Sequence, residues 1–416
     1  MNLRLCLIYG VIILLVLLRV ILTPPPQALP DGAHIHARIR LTSTPQFVSG
    51  KQQIQVTLKG QKVTLVTSPF SEYNYGDLLD VTGTLKAKAL SGERIVYSIS
   101  FPKISVIQDD TALPYKLAGF VRARVAETYT TFLDPDQASL LEGIVFGINS
   151  SVDKRLKSAF QVTGVTHVIA ASGMNVTLLA AFLLPLLTRF LKRQTSLVVL
   201  IMILMFYALL SGMSASIVRA TLMASIGYIG LLLGRQRTAF ISFFLTGCIM
   251  IGITPSVLTD IGFQLSFAAT AGMLVIQPLF PNLEGLPLVT FVEEDLKATL
   301  AAQITTLPIL IYYFHTLGVL AILVNVLVLW TIAPLMVIGS IAAFVGLVST
   351  ALGGLITLLT LPLLSYFLFV VKFFARITPV LTLSDLPLIL VIGYYLCISA
   401  LILFFHKRKQ RHAANL

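Results

Sequence analysis

Four stretches of this chain carry residues whose types and spacing suit chemistry. The first is Gly164-Val165-Thr166-His167-Val168-Ile169-Ala170-Ala171-Ser172-Gly173-Met174-Asn175-Val176. Ser172 and Asn175 lie three apart and share a helix face. Gly173 between them lets another backbone come close. One reading makes Ser172 the cap of a helix; another makes it a nucleophile with His167 or His315 as its base. Five residues separate His167 from Ser172, which puts them on different helix faces. The second stretch, Ser211-Gly212-Met213-Ser214-Ala215-Ser216-Ile217-Val218-Arg219-Ala220, sets Arg219 about five residues inside an apolar run. A charge at the centre of hydrocarbon costs at least ~2.5 kcal/mol unless it is paired or wetted. In the third stretch, Asp260 and Gln264 stack at i and i+4. The orientation worked out below puts Asp260 and Arg219 at similar depth, and from that we predict an Asp260–Arg219 ion pair. In the fourth, Thr299, Gln303 and Thr306 form a polar stripe ahead of Pro308. Polar faces on several spans point to a hydrated lumen, the alternative being interhelical hydrogen bonds.

The elements that must hold these residues follow from composition. The 416 residues are 56% hydrophobic and 12% charged, with mean hydropathy +0.89, against about 25% charged in soluble globular domains. That excludes a water-soluble enzyme, a disordered chain and a small disulfide scaffold. The net charge is +12, and +7 of it falls in residues 161–416, where 13 basic and 6 acidic residues are thinly spread. The fold class is a polytopic α-helical membrane protein of about ten spans, with a small extracytoplasmic OB-like β-barrel domain.

Residues 1–29 read as a membrane anchor. Over 30–110 the hydrophobic period falls to two, with Gly-containing turns, which predicts five or six short strands closing a small barrel. Phe70, Tyr73 and Tyr75 cluster in a loop with Lys86 and Lys88 on nearby strands, a combination suited to stacking bases and holding phosphates. Residues 111–165 read as amphipathic helices lying on the outer bilayer surface. The apolar runs lie within 166–406, and 407–416 is a basic tail. Lys192-Arg193, Arg235 with Arg237, and the tail should be cytoplasmic. Both termini then lie inside and the β domain outside. Lys372 and Arg376 fall on the outer side under this count, a mild violation.

No cofactor is predicted. Cys6, Cys248 and Cys397 have no neighbour at metal or redox spacing. His34 and His36 point to the same side of a strand without further ligands, so no metal site is assigned. No GxxxxGK[ST] loop is present, so any motor must be another protein. A small-molecule or lipid transporter would predict inverted repeats, and none is visible.

Taken in order, Gly164…His167…Ala171-Ser172-Gly173, Ser211-Gly212…Arg219-Ala220…Met223, Pro255…Asp260-Ile261-Gly262-Phe263-Gln264-Leu265-Ser266-Phe267 and Gln303…Leu307-Pro308 resemble the ComEC family of competence proteins. The resemblance runs from the β region to about residue 400. It implies a channel in the inner membrane that passes single-stranded DNA inward during natural transformation. His167, Ser172, Gly173, Asn175, Arg219, Asp260, Gln264 and Gln303 would lie along its path. A DNA receptor, a nuclease and a cytoplasmic motor would be separate partners, and the oligomeric state is left open. Family members typically have His where this chain has Asn175. Many also carry a metallo-β-lactamase-like domain. No His-x-His-x-Asp-His cluster occurs in these residues, so any strand degradation is expected from another polypeptide.

Overall fold

A computed structural model describes residues 3–23, 29–41, 46–48, 51–58, 60–68, 73, 75–90, 94–107, 112–148, 152–169, 172–235, 238–280, 287–314, 316–318, 320–382 and 387–414. Phe70 and His315 lie outside the described residues, as does the side chain of His167.

Helix α1 (Leu3–Leu22) precedes a seven-stranded sheet: β1 (His34–Arg40), β2 (Gln46–Val48), β3 (Lys51–Leu58), β4 (Gln61–Thr67), β5 (Leu78–Leu90), β6 (Arg94–Ser100) and β7 (Lys103–Ile107). The order is β1-β5-β6-β4-β3-β2, with β7 also on β5. The 13-residue β5 organises the sheet. Its first half pairs with β1 and β7, and its second half with β6. β6 and β7 run as one strand along β5, broken at Phe101, whose φ is +49°. Gly83 faces that break; a Cβ there would stand 2.5 Å from Ile99 Cγ2 and 3.1 Å from Pro102 Cβ. The sheet bends where no side chain intervenes. The inward residues of the alternating pattern, among them Ile54, Val63, Leu65, Leu79, Val81, Leu85 and Ile99, form one buried core. Among the described residues the ladders make a half-barrel.

The helical body comprises α2 (Leu113–Thr130), α3 (Pro135–Phe146), α4 (Lys154–Val162), α5 (Thr166–Ile169), α6 (Gly173–Phe190), α7 (Arg193–Leu210), α8 (Ala215–Leu232), α9 (Ala239–Ile253), α10 (Ile261–Val275), α11 (Pro287–Phe314), α12 (Ala321–Val328), α13 (Ile332–Gly346), α14 (Thr350–Thr357), α15 (Leu361–Ile377) and α16 (Leu388–Ala414). Two short strands, β8 (Thr316–Gly318) and β9 (Val380–Thr382), pair antiparallel. Among the described residues six segments are long and apolar enough to cross a bilayer: Gly173–Phe190, Arg193–Leu210, Ala215–Leu232, Ile261–Leu279, Ala321–Gly346 and Thr350–Ile377. Ile12–Leu22, Ala239–Ile253 and Ile389–Phe404 are apolar but shorter. The chain is a multi-pass membrane protein.

The expectation that residues 111–165 lie on the surface needs correction at α3. Every residue from Ala138 to Val145 is buried, so this helix has no wet face along that stretch. The α2–α3 hairpin is wedged against α13. Tyr129 donates from its hydroxyl to the Gly339 carbonyl at 2.8 Å. A Cβ on Gly339 would stand 2.7 Å from Val145 Cγ2 and 3.0 Å from Leu141 Cδ1. Gly346, on the same face of α13, abuts Thr128. Small residues let the backbones approach, as in other membrane helix pairs. α2 still has an exposed apolar stripe, Leu113, Leu117 and Phe120, and α4 stays two-sided, burying Leu156 and Phe160. Lys372, the apparent violation of the charge rule, pairs with Asp136 of α3 at 2.7 Å.

Candidate functional site: a buried arginine cradle

Arg219 lies one turn inside α8 and is 7% exposed. The small residues around it on α8 bring neighbouring helices close. Its Nη1 donates to the Ser266 carbonyl and to Thr270 Oγ1, both on α10. Ser266 Oγ in turn donates to Ser216 Oγ of α8 at 3.0 Å. The guanidinium's other end faces α6: a Cβ on Gly173 would stand 2.6 Å from Arg219 Nη2. Gly173 is therefore a glycine because a guanidinium occupies the place of its side chain. Nε is buried without a hydrogen-bond partner.

The Asp260–Arg219 pair expected from depth does not form. Asp260 is the N-cap of α10, accepting from the Phe263 amide at 3.1 Å. Its other carboxylate oxygen accepts from Lys62 Nζ of the β domain at 2.8 Å. Burial opposes its ionisation. The hydrogen bond and charge of Lys62 and the amides of Phe263 and Gly262 outweigh that, holding the carboxyl below its ordinary value. Arg219 lies at the expected end of its span but reaches inward to a carbonyl and a hydroxyl of α10, a turn or more from the cap. Gln264 is also local: its Nε2 donates to the Leu258 carbonyl at 2.8 Å. Gln303 sits on α11, half-buried, and α11 packs so close to α10 that a Cβ on Gly272 would meet Thr305 Oγ1 at 2.5 Å.

Ser172 occupies the N-cap position of α6 but its side chain does not cap the helix. The hydroxyl donates to Asn175 Oδ1 at 2.8 Å. Asn175, 1% exposed, then donates from Nδ2 to the Ile144 carbonyl at 2.7 Å. Tyr207 donates to the adjacent Val145 carbonyl at 2.7 Å. Helix α3 ends at Gly147, φ +69°, whose amide donates to the Gly143 carbonyl at 2.9 Å, while the Ile148 amide donates to the Glu142 carbonyl at 3.4 Å. The last carbonyls of α3 are thus satisfied by side chains from α6 and α7. An amide oxygen is no base, so this hydrogen bond does not make the Ser172 oxygen nucleophilic; the side chains of His167 and His315 lie outside the described residues.

In the β domain, Tyr75 is corrected from a base platform to a buried anchor. It is 5% exposed and donates to the Leu209 carbonyl at the end of α7 at 2.5 Å. Arg122 of α2 lies over its ring, 4.1 Å from the centroid. Burial raises the phenol's pKa, and Arg122 partly offsets the effect. Tyr73 packs against the sheet core. Lys86 and Lys88 are exposed on β5, and the register places them on one face with Lys62: Lys86 pairs with Ser98 and Lys88 with Val96 on β6, whose other neighbour is β4. His36 pairs with Asp80 at 3.1 Å. No group of three metal-binding side chains occurs among the described residues.

The partners of Arg219 and of the α3 carbonyls lie on other helices, where local spacing does not assign them. Ser266 and Thr270, at i and i+4, extend the stretch that holds Asp260, and their spacing alone marks a polar face. Nothing local marks Tyr207 as the companion of Asn175.

Several apolar spans around a buried cation in a polar cradle make this a multi-pass membrane protein. The chain belongs to the competence protein family, whose model matches residues 144–408. It is 26% identical over 236 residues to ComE operon protein 3 of Bacillus subtilis (strain 168), covering 56% of this chain and 30% of that protein. Over 238 residues it is 26% identical to the uncharacterized protein YcaI of Escherichia coli (strain K12), covering 55% and 30%. The match thus spans about a third of the length of these curated relatives. No solved structure matches.

Proposed function

We propose that this chain is a channel that carries single-stranded DNA across the inner membrane into the cytoplasm during natural transformation. The observation that carries the reading is Arg219: a cation without a carboxylate partner among the described residues, inside the helical body of a competence-family protein. A structural arginine in hydrocarbon pairs with an acid or with backbone carbonyls; Arg219 uses one carbonyl and one hydroxyl through Nη1 and leaves Nε unbonded among the described residues. In this reading phosphates meet Lys86, Lys88 and Lys62 on the outer face of an OB-like domain. They then pass Asp260 and Gln264 at the outer end of α10, and Arg219, with Gln303 further along the path. His167, Ser172, Gly173 and Asn175 shape the mouth at the start of α6. About ten spans, both termini inside and the β domain outside complete the topology. A separate DNA receptor, nuclease and cytoplasmic motor act with it, and the reading assigns the chain no chemistry of its own.

The test is uptake of labelled DNA in a deletion strain. Wild type should restore internalisation, and Arg219→Ala should not, at equal membrane abundance. Normal internalisation in the deletion strain itself would remove the assignment.

A further inference from the structure

The guanidinium of Arg219 has two edges, and only one is used. Nη1 serves α10. Nε is buried without a hydrogen-bond partner, and Nη2, which makes no hydrogen bond among the described residues, lies against Gly173. Nε–H and Nη2–H point the same way from the guanidinium plane, so the idle donors form a single two-toothed edge. That edge faces the N-terminus of α6, an 18-residue helix whose first turn has no side-chain cap. Among the described residues, only the Asn175 amide of this turn finds a carbonyl, that of Ser172 at 3.2 Å. A helix start without a cap leaves amides pointing outward and a partial positive charge. Ser172, the side chain placed to cap it, donates instead to Asn175.

Two positive features thus lie against each other, the Nη2 end of the guanidinium touching the start of α6 at Gly173. A buried, half-satisfied guanidinium is costly, and setting it against a helix N-terminus adds repulsion. An acid would relieve both, but Asp260 is held by Lys62. We propose that the Nε/Nη2 edge of Arg219 and the first amides of α6, at Gly173 and Met174, form a binding site for one phosphodiester group. A tetrahedral anion presents two oxygens to the guanidinium fork and its charge to the helix start. This deepens the reading of the chain as a DNA channel and rests on it for the carrier of the phosphate; nucleic acid and a phospholipid headgroup offer the same chemistry.

The experiment uses the full chain in detergent and in phosphatidylcholine nanodiscs. Three probes are compared, each against Arg219→Met and Arg219→Lys: inorganic phosphate, a ten-residue oligothymidylate, and nanodiscs containing phosphatidylglycerol. Binding is read by thermal shift and calorimetry. Methionine keeps the apolar stem without the charge and should fold, which native-like helicity and monodispersity check. Wild type should bind phosphate and oligothymidylate competitively. Arg219→Met should lose about 10- to 100-fold in affinity for both, the worth of charge-assisted bonds, and Arg219→Lys should lose less. Competition by phosphatidylglycerol alone, with no effect of oligothymidylate, would keep the site and refute the DNA reading. Equal phosphate binding by wild type and a folded Arg219→Met, or no binding of any probe to wild type, would overturn the site.

Discussion

Replacing Gly173 by alanine tests the cradle with one methyl group. The added Cβ would stand 2.6 Å from Arg219 Nη2 and 3.4 Å from Ala220 Cβ. Carbon in comfortable contact sits at about 3.5 Å, so the guanidinium must retreat by about 1 Å. A flexible arginine tip normally yields at little cost. This one is held from the far side, where Nη1 bonds Ser266 and Thr270, and the site is nearly closed. Overpacking costs about 1–3 kcal/mol. Loss of a hydrogen bond to a charged group costs about 1.5–3 kcal/mol. Gly173→Ala should therefore destabilise the protein by roughly 2.5–6 kcal/mol, measured by reversible unfolding in mixed SDS micelles. DNA internalisation should fall with it. Adding Arg219→Lys, which removes the planar fork, should recover most of the stability but not the uptake. If Gly173→Ala unfolds within about 0.5 kcal/mol of wild type, the guanidinium is not held where the geometry puts it.

Three further outcomes follow from the same contacts. Asn175→Asp replaces a donor by an acceptor against the Ile144 carbonyl; it should cost more stability than Asn175→Ala, by at least about 1 kcal/mol, in the same unfolding assay. Tyr75→Phe removes the bond to Leu209 and keeps the ring under Arg122. It should weaken seating of the β domain by about 1 kcal/mol, read as faster proteolysis between the sheet and α2, with equal protease resistance as the contrary result. The Lys62–Asp260 contact should be flat from about pH 5 to 8. The carboxyl's folded pKa is depressed, so its contribution is full above about 3.9 and fades as pH falls through the folded value. For so exposed a pair the contribution is at most about 1 kcal/mol, and spin labels across the interface report it. A transition near neutral pH would contradict the assignment.

The sequence by itself determined the class of protein. Length, apolar content and the placement of charge give a multi-pass membrane body with a strand-rich insert, because hydrocarbon excludes unpaired backbone and charge wherever the chain crosses it. The alternation of Ile54, Val56 and Leu58 and of Leu79, Val81 and Leu85 read directly as inward faces, since a strand's period is fixed. Arg219 stood out for the same reason, a charge in an apolar run. Its partners did not. Whether it meets Asp260 or reaches Ser266 and Thr270 depends on the rotation and offset of α8 against α10, which spacing within one helix does not encode. The same holds for Tyr75, an aromatic in a polar loop that reads as exposed until Arg122 and Leu209 cover it. It holds also for α3, whose apolar run reads as one-sided until α13 presents Gly339 to its other face. Periodicity fixes which face of an element is apolar; only packing decides which neighbour that face meets, and so where the buried cation has donors to spare.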